Sequence, residues 1–214
     1  MSLATLLVLA DGRLPSGGHA HSGGLETAVA AGRVRDVGDV GGFLRGRLQT
    51  TGLVSAAFAA GACARTGEFL DLDGGLDART PSPALRRASR AQGRALLRAG
   101  RAMWPVPAIG REPHHPVALG VVAAAAGLRP LEAAVAAAHG AVSGPAGAAV
   151  RLLGLDPYAV HALLAGLAPE IDRIAADAAA RAHDPVDALP AAGAPLLDIG
   201  AELHATWEVR LFAS

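Results

Sequence analysis

The residues best placed for chemistry lie in one stretch, Leu14-Pro-Ser-Gly-Gly-His-Ala-His-Ser-Gly-Gly-Leu-Glu26. Its four glycines and one proline let the backbone turn sharply and adopt positive φ, so it is a shaped loop and not a helix. His19 and His21 stand two apart inside it, Ser22 stands where a helix N-cap is expected, and Leu25 and Glu26 follow in the first turn. A phosphate loop is excluded, because the whole chain contains no lysine and the preceding segment reads as helical. A serine nucleophile at Ser16 or Ser22 lacks any elbow-like context. Two imidazoles, with His114 and His115 in reserve, supply a transient metal contact at most, because no spacing of a closed zinc site accompanies them.

Two other clusters carry charge. Asp71, Asp73 and Asp77, beside Gly74, have part of a calcium-loop spacing but lack the glutamate at the twelfth position. They are expected in a short acidic loop between residues 65 and 80. From Ser82 to Trp104 a helical wheel gathers Arg86, Arg87, Arg90, Arg94, Arg98 and Arg101 into one arc, with Leu85, Leu96 and Met103 opposite. That face either docks an anionic or acidic partner or is a solvated face paired with the acidic loop.

The elements that position these groups all read as helices. Leu3, Leu6, Leu7 and Ala10 make a short apolar helix that the glycine loop ends. Asp36, with Asp39 three residues on, caps a helix striped by Val37, Val40, Leu44 and Leu48, and a more fully apolar helix follows over 53–64. Ser82-Pro83 and Asp156-Pro157 are cap-plus-proline starts. Pro105, Pro107 and Pro113 mark a linker. Short helices are expected at 117–126, 131–142 and 146–153, with a kink or restart at Pro169 and a Pro/Ala-rich connector over 184–195. No alternating β-branched run competes. The expectation is an all-α fold, one domain over residues 1–214 with about eight to ten short helices.

Composition narrows the function. Formal net charge is zero, so no global field favours nucleic acid or an acidic membrane. The apolar N-terminus has no cationic lead-in, and the apolar stretches 117–127 and 133–150 are too short or too interrupted to span a bilayer, which points to a cytoplasmic protein. Cys63, the single cysteine, reads as a small buried hydrophobe. A tail ending in Val209, Leu211 and Phe212 must be tied down, on its own domain or on another subunit.

Four segments, in order and at matching spacing, are similar to the UreF family of urease accessory proteins: Leu9-Ala-Asp-Gly-Arg-Leu-Pro-Ser-Gly-Gly-His-Ala-His-Ser-Gly-Gly-Leu-Glu26; Leu85-Arg-Arg-Ala-Ser-Arg-Ala-Gln-Gly-Arg-Ala-Leu-Leu97; His115-Pro-Val-Ala-Leu-Gly120; and Leu197-Asp-Ile with His204 and Glu208-Val-Arg-Leu-Phe-Ala-Ser214. The family often carries an aromatic residue where His19 stands. The resemblance implies a non-catalytic, dimerising protein that bridges a UreD/UreH-type scaffold and the UreG-type GTPase and takes part in delivering Ni²⁺ to the urease apoprotein. It places scaffold contact on Arg210, Leu211, Phe212 and Ser214. Ser22, Glu26, Arg86, Arg90 and Arg94 fall to the GTPase side or the dimer seam, and His19 and His21 to a transient Ni²⁺ contact. No tightly bound cofactor is expected. The alternatives are a helical nucleic-acid-binding protein reading phosphates through the Arg86–Arg101 face, and a nickel- or zinc-dependent hydrolase using His19 and His21.

Overall fold

In the computed structural model, residues 3–65 and 67–214 are described, and among them every regular element is helical. The α-helices are α1 (Leu3–Ala10), α2 (Leu25–Ala30), α3 (Val37–Arg47), α4 (Leu53–Ala64), α5 (Phe69–Arg79), α6 (Pro83–Arg101), α7 (His115–Ala125), α8 (Pro130–Leu153), α9 (Pro157–Ala180) and α10 (Pro195–Ala205). The all-α expectation holds.

The bundle is organised around α4. Every residue from Ala56 to Cys63 is buried, so this helix is apolar all round and has neighbours on all sides: α7, α8 and α9. Alanine dominates it because small side chains let helix axes approach. Gly120 of α7 takes this furthest, since a Cβ there would run into the Ala59 carbonyl of α4. Phe58 is the one large side chain in that stretch and is fully buried. The wide turn Leu48–Gly52, of π-helical type, joins α3 to α4 without a break.

The local start signals act as their chemistry predicts. The Asp36 carboxylate accepts the Asp39 N–H at 2.9 Å, Ser82 Oγ accepts the Leu85 N–H at 3.1 Å, and Asp156 accepts the Tyr158 N–H at 3.0 Å. Carboxylates of α10 reinforce the start of α6: Glu202 accepts from the Ser82 hydroxyl and, at 2.8 Å, from the Ala84 N–H.

Three expectations are corrected. Residues 131–153 form one continuous helix, although Pro145 lies inside it. Proline has no N–H to give the carbonyl four residues earlier, and that carbonyl, of Ala141, accepts instead from Arg47 Nε at 2.8 Å. The lost bond is replaced by a tertiary one, and α8 runs on. It is long and apolar enough to cross a bilayer, yet 56% of that window is buried inside the bundle, against α4 and α9 above all. Pro169 sits inside one continuous α9, so the helix does not restart there. The acidic segment is helix α5 and not a loop, because Leu72 and Leu76 are buried and anchor one face of it to the core. Asp71, Asp73 and Asp77 therefore lie along a helix and cannot wrap a calcium ion.

Candidate functional site

The glycine loop and the tail meet. Gly17, Gly23 and Gly24 have φ of 79°, 62° and 90°, values that side-chain-bearing residues rarely adopt. At Gly23 and Gly24 space is also short: a Cβ would stand 3.0 Å from the Arg47 guanidinium carbon and 2.8 Å from Leu197 Cδ2 respectively. The loop thus lies flat against α3 and α10, and its free edge pairs with the end of the chain. Ala213 N–H donates to the Ala20 carbonyl and Ser22 N–H to the Ser214 carbonyl, each at 2.6 Å. The Ser22 hydroxyl donates to the same Ser214 carbonyl at 3.0 Å, and His21 Nδ1 is hydrogen-bonded to Ser214 Oγ at 2.7 Å.

Beneath this pairing lies Glu26, only 7% exposed. Its carboxylate accepts the backbone N–H of Leu211 at 2.8 Å, that of Phe212 at 3.1 Å, and bonds His204 Nε2 at 2.8 Å. Burial by itself pushes the carboxyl up. The Leu211 N–H, His204 and the Phe212 N–H outweigh it and hold the group below the usual carboxylate range. Phe212 is buried in turn, with the Arg151 guanidinium 4.5 Å from its ring centroid.

The residues assigned to partners from the sequence thus divide. Ser22, Glu26 and Phe212 face inward and hold the tail on its own domain, and Ser214 takes part through its carbonyl and hydroxyl. Arg210 and Leu211 face solvent, Leu211 at 74% exposure. Ser22 is not the N-cap of α2, since Gly24 holds that position; its Oγ instead accepts the Glu26 N–H at 3.2 Å. The Glu26–His204 pair escaped the sequence reading, because nothing in the sequence links positions 178 residues apart.

Next to the tail, α10 turns an apolar stripe outward. Leu196, Ile199 and Leu203, three and four residues apart, are 63%, 66% and 56% exposed, while Gly200, Ala201 and His204 on the other side are buried. With Val209 and Leu211 they form a run of exposed aliphatic side chains.

Half of the basic face of α6, Arg86, Arg90 and Arg94, is answered from within the chain, while Arg87, Arg98 and Arg101 are exposed. Arg90 reaches Asp73 at 2.8 Å and Asp77 at 2.7 Å, Arg94 reaches Glu112 at 2.8 Å, and Arg86 donates to the Thr80 carbonyl at 2.7 Å. His114, buried, completes the clasp: its N–H donates to Asp73 at 2.7 Å and its ring bonds Asp77 at 2.9 Å and Ser89 Oγ at 3.0 Å. This Asp–His–Ser line has both sides of its hydroxyl occupied, because Ser89 Oγ also accepts the His115 N–H at 3.1 Å. It fastens α5, α6 and the start of α7 together. Burial raises the Asp77 carboxyl, but the His114 bond and the Arg90 charge outweigh it and hold it low.

His19 and His21 border a cavity of about 490 Å³, with His115 and His139 further along its wall. His19 is exposed and His21 half-buried. Among the described residues no group of three or more His, Cys, Asp or Glu side chains is arranged to hold a metal ion. Burial lowers His21 and His139, and it pushes His115 down to about 4. Burial thus favours the uncharged ring at each of these three positions.

Comparison with known proteins converges on one family. Residues 34–168 match the family model described as UreF. The chain is 49% identical over 216 residues to the urease accessory protein UreF of Mycobacterium sp. (strain JLS), covering 100% of this chain and 99% of that protein. It is 46% identical over 221 residues to the protein of the same name from Mycolicibacterium vanbaalenii, and 43% identical over 218 residues to that from Mycobacterium tuberculosis (strain H37Rv), with the same coverage.

Proposed function

Because the chain belongs to the UreF family of urease accessory proteins, we propose that it serves urease maturation as a non-catalytic scaffold, joining a UreD/UreH-type protein to the UreG-type GTPase. In this reading the nickel ion is cargo, carried by the GTPase towards the urease apoprotein. The protein acts in the cytoplasm as a homodimer.

The observation that carries the scaffold assignment is the exposed aliphatic stripe of α10 continued by Val209 and Leu211. Side chains of this kind gain by burial against a partner, and a few of them at an interface centre supply most of the binding free energy. The buried clasp behind them gives the stripe a fixed backing, because Glu26 holds the Leu211 and Phe212 amides while His204 holds α10 to the same carboxylate. The UreD/UreH-type scaffold is the occupant assigned to this surface. The paired arginines of α6 argue against the nucleic-acid reading, since Arg90 and Arg94 are already neutralised by Asp73, Asp77 and Glu112.

The test is genetic and biochemical together. Deleting the gene should leave urease without nickel, while the purified chain should co-elute with both accessory partners. Nickel-loaded, fully active urease in the deletion strain overturns the proposal.

A further inference from the structure

The chain holds a cation that its fold does not neutralise. Arg47, the last residue of α3, spends Nε on the Ala141 carbonyl and one N–H of NH1 on the Gly23 carbonyl, both at 2.8 Å. Among the described residues, no carboxylate oxygen of Asp, Glu or the chain end lies within 4 Å of it. A guanidinium carries five N–H donors, so three remain. Burial lowers the group to about 10. It nevertheless keeps accessible surface, because it faces the 490 Å³ cavity.

Most charged groups on the wall of that cavity are cationic. Its guanidinium groups are Arg47, Arg79 and Arg151; its acidic groups are the Asp11 carboxylate, exposed and paired with Arg13 at 3.3 Å, and the chain end at Ser214, whose oxygen is hydrogen-bonded to Ser22. Arg79 donates to the carbonyls of Val186, Leu189 and Pro190, and Arg151 lies over Phe212, so neither meets a carboxylate. Between them stand neutral donors and acceptors: the imidazoles of His115 and His139 and the hydroxyls of Thr51 and Ser143. A hydrated dication entering here would approach a guanidinium with no carboxylate within 4 Å among the described residues. An anion would complete it, and the planar fork of arginine suits oxygen anions best.

We infer that this cavity is a binding site for a small oxyanion of the carboxylate or phosphate class, held by the free N–H groups of Arg47 and by the hydroxyl and imidazole groups around it. The inference is independent of the scaffold assignment, since it concerns the interior of the isolated chain.

The test is thermal unfolding of the full-length protein at constant ionic strength, with sodium chloride replaced stepwise by sodium formate in one series and by inorganic phosphate in another. A ligand bound to the native state alone, at a hundredfold excess over its Kd, raises the Tm of a chain this size by about 5–10 °C. A saturating rise with either probe is expected, and which probe saturates first assigns the anion class. Arg47→Gln should abolish it. Because Arg47 also supports Ala141 and Gly23, Gly144→Leu is the second variant: this cavity-lining position has open space where its Cβ would stand, and leucine favours the helix. A saturating rise in the wild type that Gly144→Leu removes upholds the site. An unsaturable rise equal in all three proteins, no rise with either anion, or a saturable rise with Ni²⁺ alone that Gly144→Leu removes, each overturns it.

Discussion

Replacing Glu26 with alanine is the sharpest perturbation of the loop and tail. The substitution strips the acceptor from the Leu211 and Phe212 amides and from His204 Nε2 at one stroke. A hydrogen bond to a charged group contributes about 1.5–3 kcal/mol, and a donor left buried without a partner costs about 1–3 kcal/mol. The tail has an escape that the core lacks, since it can leave the surface and give its amides to water. The cost is set by the bonds Glu26 makes, two to the tail amides and one to His204 of α10, less what water returns, or roughly 3–5 kcal/mol. At about 1.4 kcal/mol per tenfold, hydrogen exchange at Leu211 and Phe212 should accelerate roughly a hundred- to a few thousandfold. Exchange in α4 should stay as it was. The direction with pH follows from the same carboxylate. Its folded pKa lies below the ordinary 4.5, so it stabilises the clasp at neutral pH and the stabilisation fades as pH falls through 4.5 towards the folded value. Acid should therefore loosen the Leu211–Phe212 segment of the wild type and have less effect on the variant, which has already lost these bonds. Exchange-coupled mass spectrometry reads both. If the Leu211 and Phe212 amides of Glu26→Ala keep wild-type protection at pH 7, Glu26 does not hold the tail.

Three further outcomes test the scaffold and its surface. Phe58→Ala should cost about 3–5 kcal/mol in urea unfolding, because a fully buried ring leaves a cavity between α4 and α5 and Arg79 loses the face it covers at 5.1 Å. Arg90→Ala should cost about 1–3 kcal/mol, discounted for partial exposure, since it leaves Asp73 and Asp77 side by side; equilibrium unfolding at pH 7 measures it, and the loss should shrink as acid protonates both. Ile199→Asp with Leu203→Asp should leave circular dichroism unchanged, both side chains being more than half exposed, and should cut co-purification with the UreD/UreH-type scaffold at least tenfold.

What could be read ahead of the structure was local. Asp36 with Asp39, Ser82-Pro83 and Asp156-Pro157 announce helix starts within four residues of themselves, and all three cap as their side chains dictate. The misreadings share a different origin. Pro145 looks like a terminator because nothing nearby replaces its missing N–H, and the replacement, Arg47, lies 94 residues before the Ala141 carbonyl it serves. The Asp71–Asp77 segment looks like a loop because its glycines and acids disfavour helix in isolation, while Leu72 and Leu76 find the core and Arg90 takes two of the acids. The site was half legible. The loop stood out by its glycines and the tail by its exposed-looking aliphatics. Their pairing was not visible, because Ser22 and Ser214 are 192 positions apart and neither carries a mark of the other.

That separation has a consequence in time. A ribosome adding about 5–20 residues per second makes Ser22 some 10–40 s before Ser214. Throughout that interval the glycine loop has no edge to pair with, and Glu26 is an acid awaiting two amides and an imidazole that have not been synthesised. The clasp is among the last contacts the chain can close, and the backing of the aliphatic stripe on α10 closes with it. A truncated or stalled product can build the α4-centred bundle yet still lack this latch, so any partner that requires the backed stripe reads the completeness of the chain it binds.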